Sequence, residues 1–362
     1  MRKTLPAHYQ GSAATLYDGD CLDVLTKLPD ASVDSVVTDP PYGLAFMGNA
    51  WDTMGPVDFQ RWTERWASEC LRVLKPGGYC LAFGGSRTWH RLTAGIEDAG
   101  FEIRDSIAWL YGQGFPKSLN VARAIDRQRG TATDEARKWE GWGTALKPAF
   151  EPCVVARKPL DGSVAHNVTT YGTGALNIGA CRVGADEMLM QGSAGRFPPN
   201  VAFDTALAAD LDAQSGTLTS GLMPPGTPKA GKARGIYGEM KAQPSTSATY
   251  GDTGGASRFF PVFRWQAKAP RSERPNVEGV THPTVKPLAL MRWLVRLVTA
   301  PGGVVLGPFA GSGTTLEAAV LEGMKVIGIE REETYLPLIE SRLRKSATAA
   351  LDPSIINETQ EN

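Results

Sequence analysis

The sequence predicts an α/β fold in which a mostly parallel sheet is flanked by helices. Three observations carry this prediction. Short apolar runs that stop at proline or glycine recur along the chain, as expected of buried strands. Stretches with helical apolar spacing lie between several of these runs, and a glycine-rich turn joins one strand to one helix near the carboxyl end. Such alternation of strand and helix is typical of parallel sheets, since each crossover places a helix on a face of the sheet.

The amino-terminal half contains the first of these elements. The apolar run at residues 35–37 stops at Thr38-Asp39, where two prolines follow, and proline supplies no N–H for a strand ladder. Residues 56–76 have apolar side chains at helical spacing and end at Lys75-Pro76-Gly77-Gly78. Beyond this point we expect a strand at residues 79–83, a helix at about 87–99 and a strand near 102–110.

The carboxyl-terminal half has the stronger pattern. A short apolar strand at residues 304–306 leads into a small-residue turn at 308–315, a helix at 316–322 and a second strand that ends on Glu330. Glycines allow close approach of a ligand, and a helix N-terminus leaves free N–H groups for an anion. A carboxylate roughly 20 residues after such a turn is the usual partner of ribose hydroxyls. This order predicts a site for a nucleoside cofactor. A nucleotide-binding unit for NAD is an alternative interpretation of the same pattern.

The string Asp39-Pro40-Pro41-Tyr42 predicts the reacting centre. An exocyclic amine on an aromatic ring is a poor nucleophile because its lone pair is delocalised into the ring. A carboxylate from Asp39 and the carbonyl of Pro40 can accept its two N–H groups and free that lone pair. Tyr42 offers a face for base stacking, worth roughly 1–3 kcal/mol per base. An ordinary surface turn is the alternative interpretation.

Composition limits the remaining possibilities. The 362 residues carry no net charge, so any affinity for a polyanion must come from local basic clusters. Five cysteines without a Cys-x-x-Cys pair predict neither a disulfide framework nor a zinc site. The sequence predicts no membrane span and no signal peptide, and hence a cytoplasmic protein. Six basic residues are the candidates for contacts with a polyanion such as DNA, with solvated loop charge as the alternative: Lys229, Lys232, Arg234, Lys268, Arg271 and Arg274.

The organisation predicted for the chain is one catalytic unit with an insertion. Residues 1–160 and 256–347 are expected to form the catalytic domain, 161–255 a loop-rich insertion, and 348–362 a disordered tail. Glycine, serine, threonine and proline dominate the insertion, so a flexible linker without a recognition role is the alternative. The loop at 43–55 follows the Asp-Pro-Pro-Tyr string and is expected to close over the bound base.

With both strings considered together, the chain resembles the β-class DNA amino-methyltransferases, in which the Asp-Pro-Pro-Tyr motif precedes the cofactor turn. The segments at residues 16–29, 143–152 and 282–287 also resemble that family. The resemblance implies a Rossmann-like methyltransferase fold with permuted motif order, S-adenosylmethionine as cofactor and double-stranded DNA as partner. It also implies that the insertion at residues 161–255 recognises the target sequence. It leaves a homodimer as a candidate assembly. Asp39 favours N6 of adenine over N4 of cytosine, because family members that act on cytosine more often begin the motif with serine.

The resemblance also implies roles for individual residues. The catalytic residues are Asp39, Pro40, Pro41 and Tyr42, and no metal is required. His282 is expected to have a structural or cofactor-positioning role rather than an acid–base one. The residues that this resemblance and the turn assign to the cofactor are Asp20, Cys21, Thr284, Lys286, Phe309, Ala310, Gly311, Ser312, Gly313, Thr314, Glu330 and Arg331.

Gly307 departs from the family pattern. The family usually has aspartate before the Pro-Phe of the cofactor turn, where its carboxylate would meet the cofactor's ammonium group. Loss of a charge-assisted hydrogen bond worth roughly 1.5–3 kcal/mol would weaken binding by about 10- to 150-fold. We therefore expect weak cofactor affinity. The alternatives to a DNA enzyme are a methyltransferase of RNA or of a protein glutamine, and a DNA-binding protein that no longer turns over.

Overall fold

The computed structural model describes residues 6–44, 53–112, 114, 116, 118–184, 195–221, 226, 251–263, 275–277 and 279–351. Its strands are β1 (Tyr9–Gln10), β2 (Ala14–Asp18), β3 (Val33–Thr38), β4 (Leu74–Phe83), β5 (Glu102–Leu110), β6 (Phe150–Arg157), β7 (Val201–Asp204), β8 (Leu218–Thr219), β9 (Thr253–Gly254), β10 (Val262–Phe263), β11 (Asn276–Val277), β12 (Val280–Thr281), β13 (Val304–Gly307) and β14 (Lys325–Glu330). Its helices are α1 (Cys21–Leu25), α2 (Pro56–Val73), α3 (Trp89–Asp98), α4 (Val121–Arg129), α5 (Asp134–Arg137), α6 (Val164–Tyr171), α7 (Thr205–Ser215), α8 (Leu288–Val298), α9 (Thr314–Leu321) and α10 (Leu336–Leu351).

One mostly parallel sheet organises the molecule. Within the described residues it has ten strands in the order β1-β2-β14-β13-β3-β4-β6-β5-β7-β10. Neighbours pair in parallel except at β1 with β2 and on both sides of β6. Strand β6 is thus the one interior strand of this sheet that runs against its neighbours. The predicted mostly parallel sheet is confirmed.

Helices cover both faces of the sheet, as predicted. Successive residues of a strand face opposite sides, and β13 shows this directly. Val305 belongs to a core shared with α8, α9 and α10, whereas the next residue, Leu306, belongs to a core shared with α1, α2 and α3. Trp66 on α2 and Leu316 on α9 are completely buried in these two cores. The tryptophan at 66 is therefore a core residue of helix α2.

The predicted boundaries differ from the observed ones by a few residues, for local reasons. Helix α2 ends at Val73 instead of residue 76, because Pro76 cannot continue a helix and disfavours helical geometry before it. The chain from Leu74 is already extended and pairs with β3 across an irregularity in register. Helix α9 begins at Thr314, immediately after Gly313, whose φ of 79° is left-handed.

Part of the segment predicted as a loop-rich insertion, residues 161–255, has regular structure. Ser163 caps α6 and Asp204 caps α7, each through a side-chain bond to a backbone N–H three residues on. Strand β7 joins the main sheet beside β5, where Ala202 and Phe203 are buried. The short apolar run at residues 201–203 therefore belongs to the sheet and was missed by the sequence prediction. The tail beyond residue 351 lies outside the described residues.

The strand order places the two informative strings side by side. In the sheet, β3 lies between β13 and β4. The chain continues from β3 to β4 on one side, and from β13 to β14 on the opposite side. Open parallel sheets bind ligands outside the carboxyl ends of the strands at such a reversal of direction. Asp39 follows the carboxyl end of β3 and Pro308 follows that of β13. Among the described residues, no helix is both long and apolar enough to cross a membrane.

Candidate active site

The carboxyl edge of the parallel strands brings together most of the described residues that the sequence assigned to a site. Asp20 lies two residues beyond β2, Glu330 ends β14, the glycine-rich turn follows β13, and Asp39 follows β3. Glu330 pairs in register with Asp18, so β2 and β14 end together. Residues far apart in the chain thereby form one continuous edge.

The Asp-Pro-Pro-Tyr turn is held by hydrogen bonds at both ends. The Tyr42 hydroxyl donates to Asp39 Oδ1 at 2.7 Å, and the Thr88 hydroxyl donates to the Tyr42 carbonyl at 2.7 Å. Burial, and then the nearby carboxylates of Asp39 and Glu151, raise the pKa of Tyr42 well above its usual value, so the phenol remains a donor. Pro40 is buried, whereas Pro41 is half-buried. The turn therefore presents a carboxylate in a fixed orientation.

Lys286 lies against this carboxylate. Its ammonium is 2.8 Å from Asp39 Oδ2, 3.0 Å from the Tyr42 hydroxyl and 3.0 Å from Glu151 Oε2. The side chain is 12% exposed, and its ammonium lies 4.8 Å from the centre of the Phe83 ring. The sequence assigned Lys286 to the cofactor, whereas in the described structure its ammonium contacts the Asp-Pro-Pro-Tyr turn.

The glycine-rich turn has the form of a cradle. Gly311 and Gly313 adopt φ values of 53° and 79°, which side chains other than glycine rarely adopt. Ala310 is buried and its N–H donates to the Ile329 carbonyl, which ties the turn to β14. Phe309 packs with its ring centre 5.4 Å from that of Trp62.

Glu330 fastens the same turn from the neighbouring strand. It accepts N–H bonds from Gly311 at 2.6 Å, Glu332 at 2.9 Å and Arg331 at 3.1 Å. Burial raises the pKa of the Glu330 carboxyl and outweighs these three donors. The carboxylate predicted for ribose hydroxyls thus lies directly beside the glycine turn.

The start of α9 is locked by the last helix. The Ser312 and Thr314 hydroxyls are 2.9 Å apart, and Arg342 on α10 donates to Thr314 at 2.6 Å. Arg342 also pairs with Glu317 at 2.9 Å, with both side chains largely buried. The helix N-terminus that follows the glycine turn is therefore rigidly placed.

The remaining residues assigned to the cofactor lie at the ends of this edge. Asp20 caps α1 by accepting the Leu22 N–H at 2.9 Å, and Arg331 lies 3.7 Å from its carboxylate. Cys21 is buried, and burial raises the pKa of its thiol to about 12. Thr284 is exposed, and its carbonyl is hydrogen-bonded to His282 Nδ1.

His282 packs against the glycine turn. Its ring meets that of Tyr335 edge-on at 4.6 Å, and its Nε2 would be 3.3 Å from a Cβ at Gly311. Burial lowers the pKa of His282 and outweighs its bond to the Thr284 carbonyl. These contacts favour the structural role that the sequence suggested.

A cleft of about 370 Å³ lies beside the Asp-Pro-Pro-Tyr turn. It is lined by the residues that directly follow Tyr42, by the start of α2 and by the turn before α3: Gly43, Leu44, Thr53, Met54, Pro56, Arg87 and Thr88. Thr88 belongs both to this lining and to the bond that holds Tyr42. Most of the loop predicted to close over a base, residues 45–52, lies outside the described residues, as do all six predicted DNA contacts, Lys229, Lys232, Arg234, Lys268, Arg271 and Arg274.

Sequence reasoning missed two residues of this site, Glu151 and Thr88. Glu151 lies in a segment that resembles the family, but only the fold shows that its carboxylate meets Lys286. Within the described part of the chain, no group of histidine, cysteine, aspartate and glutamate side chains could hold a metal ion.

The surroundings of Gly307 show what a side chain there would meet. A Cβ on Gly307 would lie 3.1 Å from Leu316 Cδ1, which is close contact with the end of a flexible side chain. Gly307 pairs with Gly328 on β14, where a Cβ would lie only 2.3 Å from the same leucine. Leu316 therefore covers two adjacent glycines and must move slightly to admit a larger residue at 307.

The chain is similar to known DNA methyltransferases in sequence and in fold. The Type II methyltransferase M.HindIII of Haemophilus influenzae is 24% identical over 367 residues, spanning 91% of this chain and 94% of that protein. The solved structure of PvuII DNA methyltransferase, which is cytosine-N4-specific, is similar in fold, with a TM-score of 0.53 and 16% identity over 96% of this chain and 95% of that one. A family model described as DNA methylase matches residues 33–341. Because this match spans most of the chain and includes both motifs, the chain belongs to the DNA methylase family, as a β-class amino-methyltransferase.

Proposed function

We propose that this enzyme transfers a methyl group from S-adenosylmethionine to the exocyclic amine of a base in double-stranded DNA, with N6 of adenine favoured over N4 of cytosine. The observation that carries the proposal is the position of Asp39 beside the glycine turn, at the carboxyl edge where the strand order reverses. An acceptor for an amine and a cradle for a nucleoside cofactor are thereby adjacent.

The residues of the cradle fit S-adenosylmethionine. Gly311 and Gly313 adopt the left-handed backbone of a tight turn, and the Glu330 carboxylate, which accepts three backbone N–H groups, keeps about one lone-pair position for a ribose hydroxyl. Asp20 and Arg331 extend the same edge with both signs of charge, which suits a cofactor that carries an ammonium and a carboxylate. When bound, S-adenosylmethionine supplies an electrophilic methyl group on a sulfonium.

The catalytic turn prepares the amine to accept that methyl group. Asp39 and the Pro40 carbonyl each accept one N–H, which localises the nitrogen lone pair toward the methyl carbon. With the cofactor bound, the amine nitrogen would form its new bond to the methyl carbon as the carbon–sulfur bond breaks, and that bond's electron pair would stay on sulfur as a neutral thioether. The nitrogen would then release one proton toward the Asp39 carboxylate and solvent. Alignment and fixed electrostatics supply the rate enhancement, since the donors around Asp39 are already in place.

The target base must leave the duplex to reach Asp39. Extruding a nucleotide costs a few kcal/mol in lost pairing and stacking. The cleft beside Tyr42, with Leu44, Met54 and Pro56 in its lining, offers the apolar surface that a flipped base requires. The preference for adenine rests on Asp39 at the start of the motif.

The experiment that tests this function is methyl transfer from labelled S-adenosylmethionine to matched acceptors. Duplex DNA, single-stranded RNA and a glutamine-containing peptide are offered separately to the wild-type protein and to an Asp39→Ala variant. Label in DNA, lost in the variant, is the expected result. Label in RNA or peptide alone would assign the same chemistry to a different substrate.

A further inference from the structure

Three side chains surround the ammonium of Lys286, and they come from separate parts of the fold. Asp39 and Tyr42 follow β3, whereas Glu151 belongs to β6, the strand that runs against its neighbours. The three acceptor distances of 2.8, 3.0 and 3.0 Å account for the three donors of an ammonium group. The side chains of Asp39 and Glu151 are 26% and 27% exposed, so these carboxylates lie at the border of the site and Lys286 lies behind them.

The charges of this group have a consequence for methyl transfer. Two carboxylates and one ammonium leave a net charge of −1 beside the position of the amine. Positive charge develops on the amine nitrogen as it accepts a methyl group, and a fixed negative charge stabilises that change. If Lys286 were paired with Asp39 alone, the two charges would cancel and this stabilisation would be lost. Glu151 supplies the charge that compensates Lys286.

The geometry leaves room for the substrate. An ionised carboxylate has about four lone-pair positions on its two oxygens. Tyr42 occupies one on Oδ1 and Lys286 one on Oδ2. These two donors fix the plane of the Asp39 carboxylate and leave one position on each oxygen for an incoming N–H.

We propose that Lys286 and Glu151 are a positioning pair for the transfer reaction: Glu151 holds the ammonium of Lys286, and Lys286 holds the Asp39 carboxylate in the orientation that the amine requires. This inference rests on the proposed function. It assigns Lys286 to the acceptor side of the site instead of the cofactor, and it gives Glu151 its first role. Burial works against the charged ammonium, but the carboxylates of Asp39 and Glu151 outweigh it and keep the pKa of Lys286 above its ordinary value.

The first test does not depend on activity. Thermal unfolding is measured for the wild-type protein, Lys286→Met, Glu151→Gln and the double variant. Lys286→Met leaves two neighbouring carboxylates without their counter-ion, so its Tm should fall by several degrees. In the double variant, Glu151→Gln removes one of these carboxylates, so part of the lost Tm should be recovered. The effects of the two substitutions on Tm should therefore not be additive, which shows that Lys286 and Glu151 interact. Strictly additive losses would show that the pair does not exist.

The second test separates the two possible partners of Lys286. With duplex DNA as acceptor, Lys286→Met should lower kcat by on the order of 100-fold, the cost of a small misplacement of a catalytic group. Calorimetry with S-adenosylmethionine should give an unchanged or tighter Kd, because the site has become more negative. Lys286→Arg keeps the charge and should recover part of kcat. A Kd weakened tenfold or more, with kcat restored at saturating cofactor, would instead assign Lys286 to the cofactor and overturn the proposal.

A matched control lies at the other end of strand β3. Lys75 pairs with Asp34 at 2.6 Å, and Asp34 also accepts the Val304 N–H at 2.7 Å. Lys75→Met removes the lysine that pairs with Asp34, which lies near the start of β3, whereas Asp39 follows the end of that strand. It should lower Tm while leaving kcat and the cofactor Kd unchanged. A wild-type protein that methylates no acceptor would overturn the proposed function itself, and the unfolding cycle would still decide whether the pair exists.

Discussion

At the scale of the residue, Asp39 connects the fold to the chemistry. Its carboxylate accepts bonds from Tyr42 and Lys286 while remaining about a quarter exposed, so it is both oriented and reachable. A carboxylate that lay free in solvent would have to be ordered in each turnover, at a cost in entropy. The hydrogen bonds around Asp39 remove that cost before the substrate arrives.

Replacement of Asp39 by asparagine should separate chemistry from binding. The amide keeps the size of the side chain and one acceptor oxygen, but it loses the charge and replaces the second acceptor with an NH₂ donor. We expect kcat to fall by about 10²- to 10³-fold or more, in line with the removal of one preorganised electrostatic interaction. The cofactor Kd, measured by calorimetry, should change little. Full activity in this variant would show that the charge of Asp39 is not needed for transfer.

Gly307 should limit the affinity for the cofactor. Gly307→Asp is expected to tighten S-adenosylmethionine binding by about 10- to 150-fold, the value of a charge-assisted hydrogen bond. Gly307→Asn is the matched control, since it places the same bulk against Leu316 without the charge. Equal Kd values for the aspartate and asparagine variants would show that charge at 307 plays no part in binding.

At the scale of the element, the sequence predicts structure well where the signals are local. The turn between β13 and α9 was predicted within two residues, because proline, glycine and a following apolar helix all lie in one short stretch. Strand β7 was missed because its few apolar residues become a strand only by pairing with β5, which is distant in the chain. Glu151 was missed as a site residue for the same reason: its partner, Lys286, is brought to it only by folding.

The stability of the protein should depend on pH through His282, which lies between β12 and α8. Burial lowers the pKa of His282 in the folded protein, so the unfolded chain binds the proton more readily. Stability should therefore be intact above about pH 6.5, the ordinary histidine value, and fall as the pH drops through it, levelling off below the folded pKa.

Thermal melting between pH 7.5 and pH 5 tests this, with His282→Gln as the comparison. Burial raises the pKa values of the Glu317 and Glu330 carboxyls, so these two groups change stability with pH in the direction opposite to His282. Both proteins contain them, so their effect cancels when the two melting curves are compared. The loss of Tm on acidification should be smaller in the variant. Parallel curves for the two proteins would exclude His282 as the cause.

At the scale of the whole molecule, zero net charge has to be reconciled with a DNA substrate. Binding to phosphates provides most non-specific affinity for DNA, and each lysine or arginine that neutralises a phosphate contributes to its salt dependence. A neutral protein must concentrate such residues in a small part of its surface. The cluster Lys268, Arg271 and Arg274 precedes the segment that carries His282 and Lys286, which makes it the leading candidate.

Replacing these three residues together by alanine should weaken DNA binding similarly for all sequences. The slope of log K against log salt should decrease by about 0.9 for each phosphate that the variant no longer neutralises. Fluorescence anisotropy with a labelled duplex at several salt concentrations measures both quantities. The set Lys229, Lys232 and Arg234 serves as the comparison. An unchanged slope in the first variant would identify its charges as solvated loop residues.

The central claim is that this chain methylates an exocyclic amine of DNA at Asp39, and nucleoside mass spectrometry tests it most directly. DNA is isolated from methylation-deficient cells that express the wild-type protein or Asp39→Ala, and its nucleosides are quantified. We expect N6-methyladenine with the wild-type protein and none with the variant. N4-methylcytosine would retain the chemistry and change the base. Neither product, with soluble wild-type protein present, would contradict the claim.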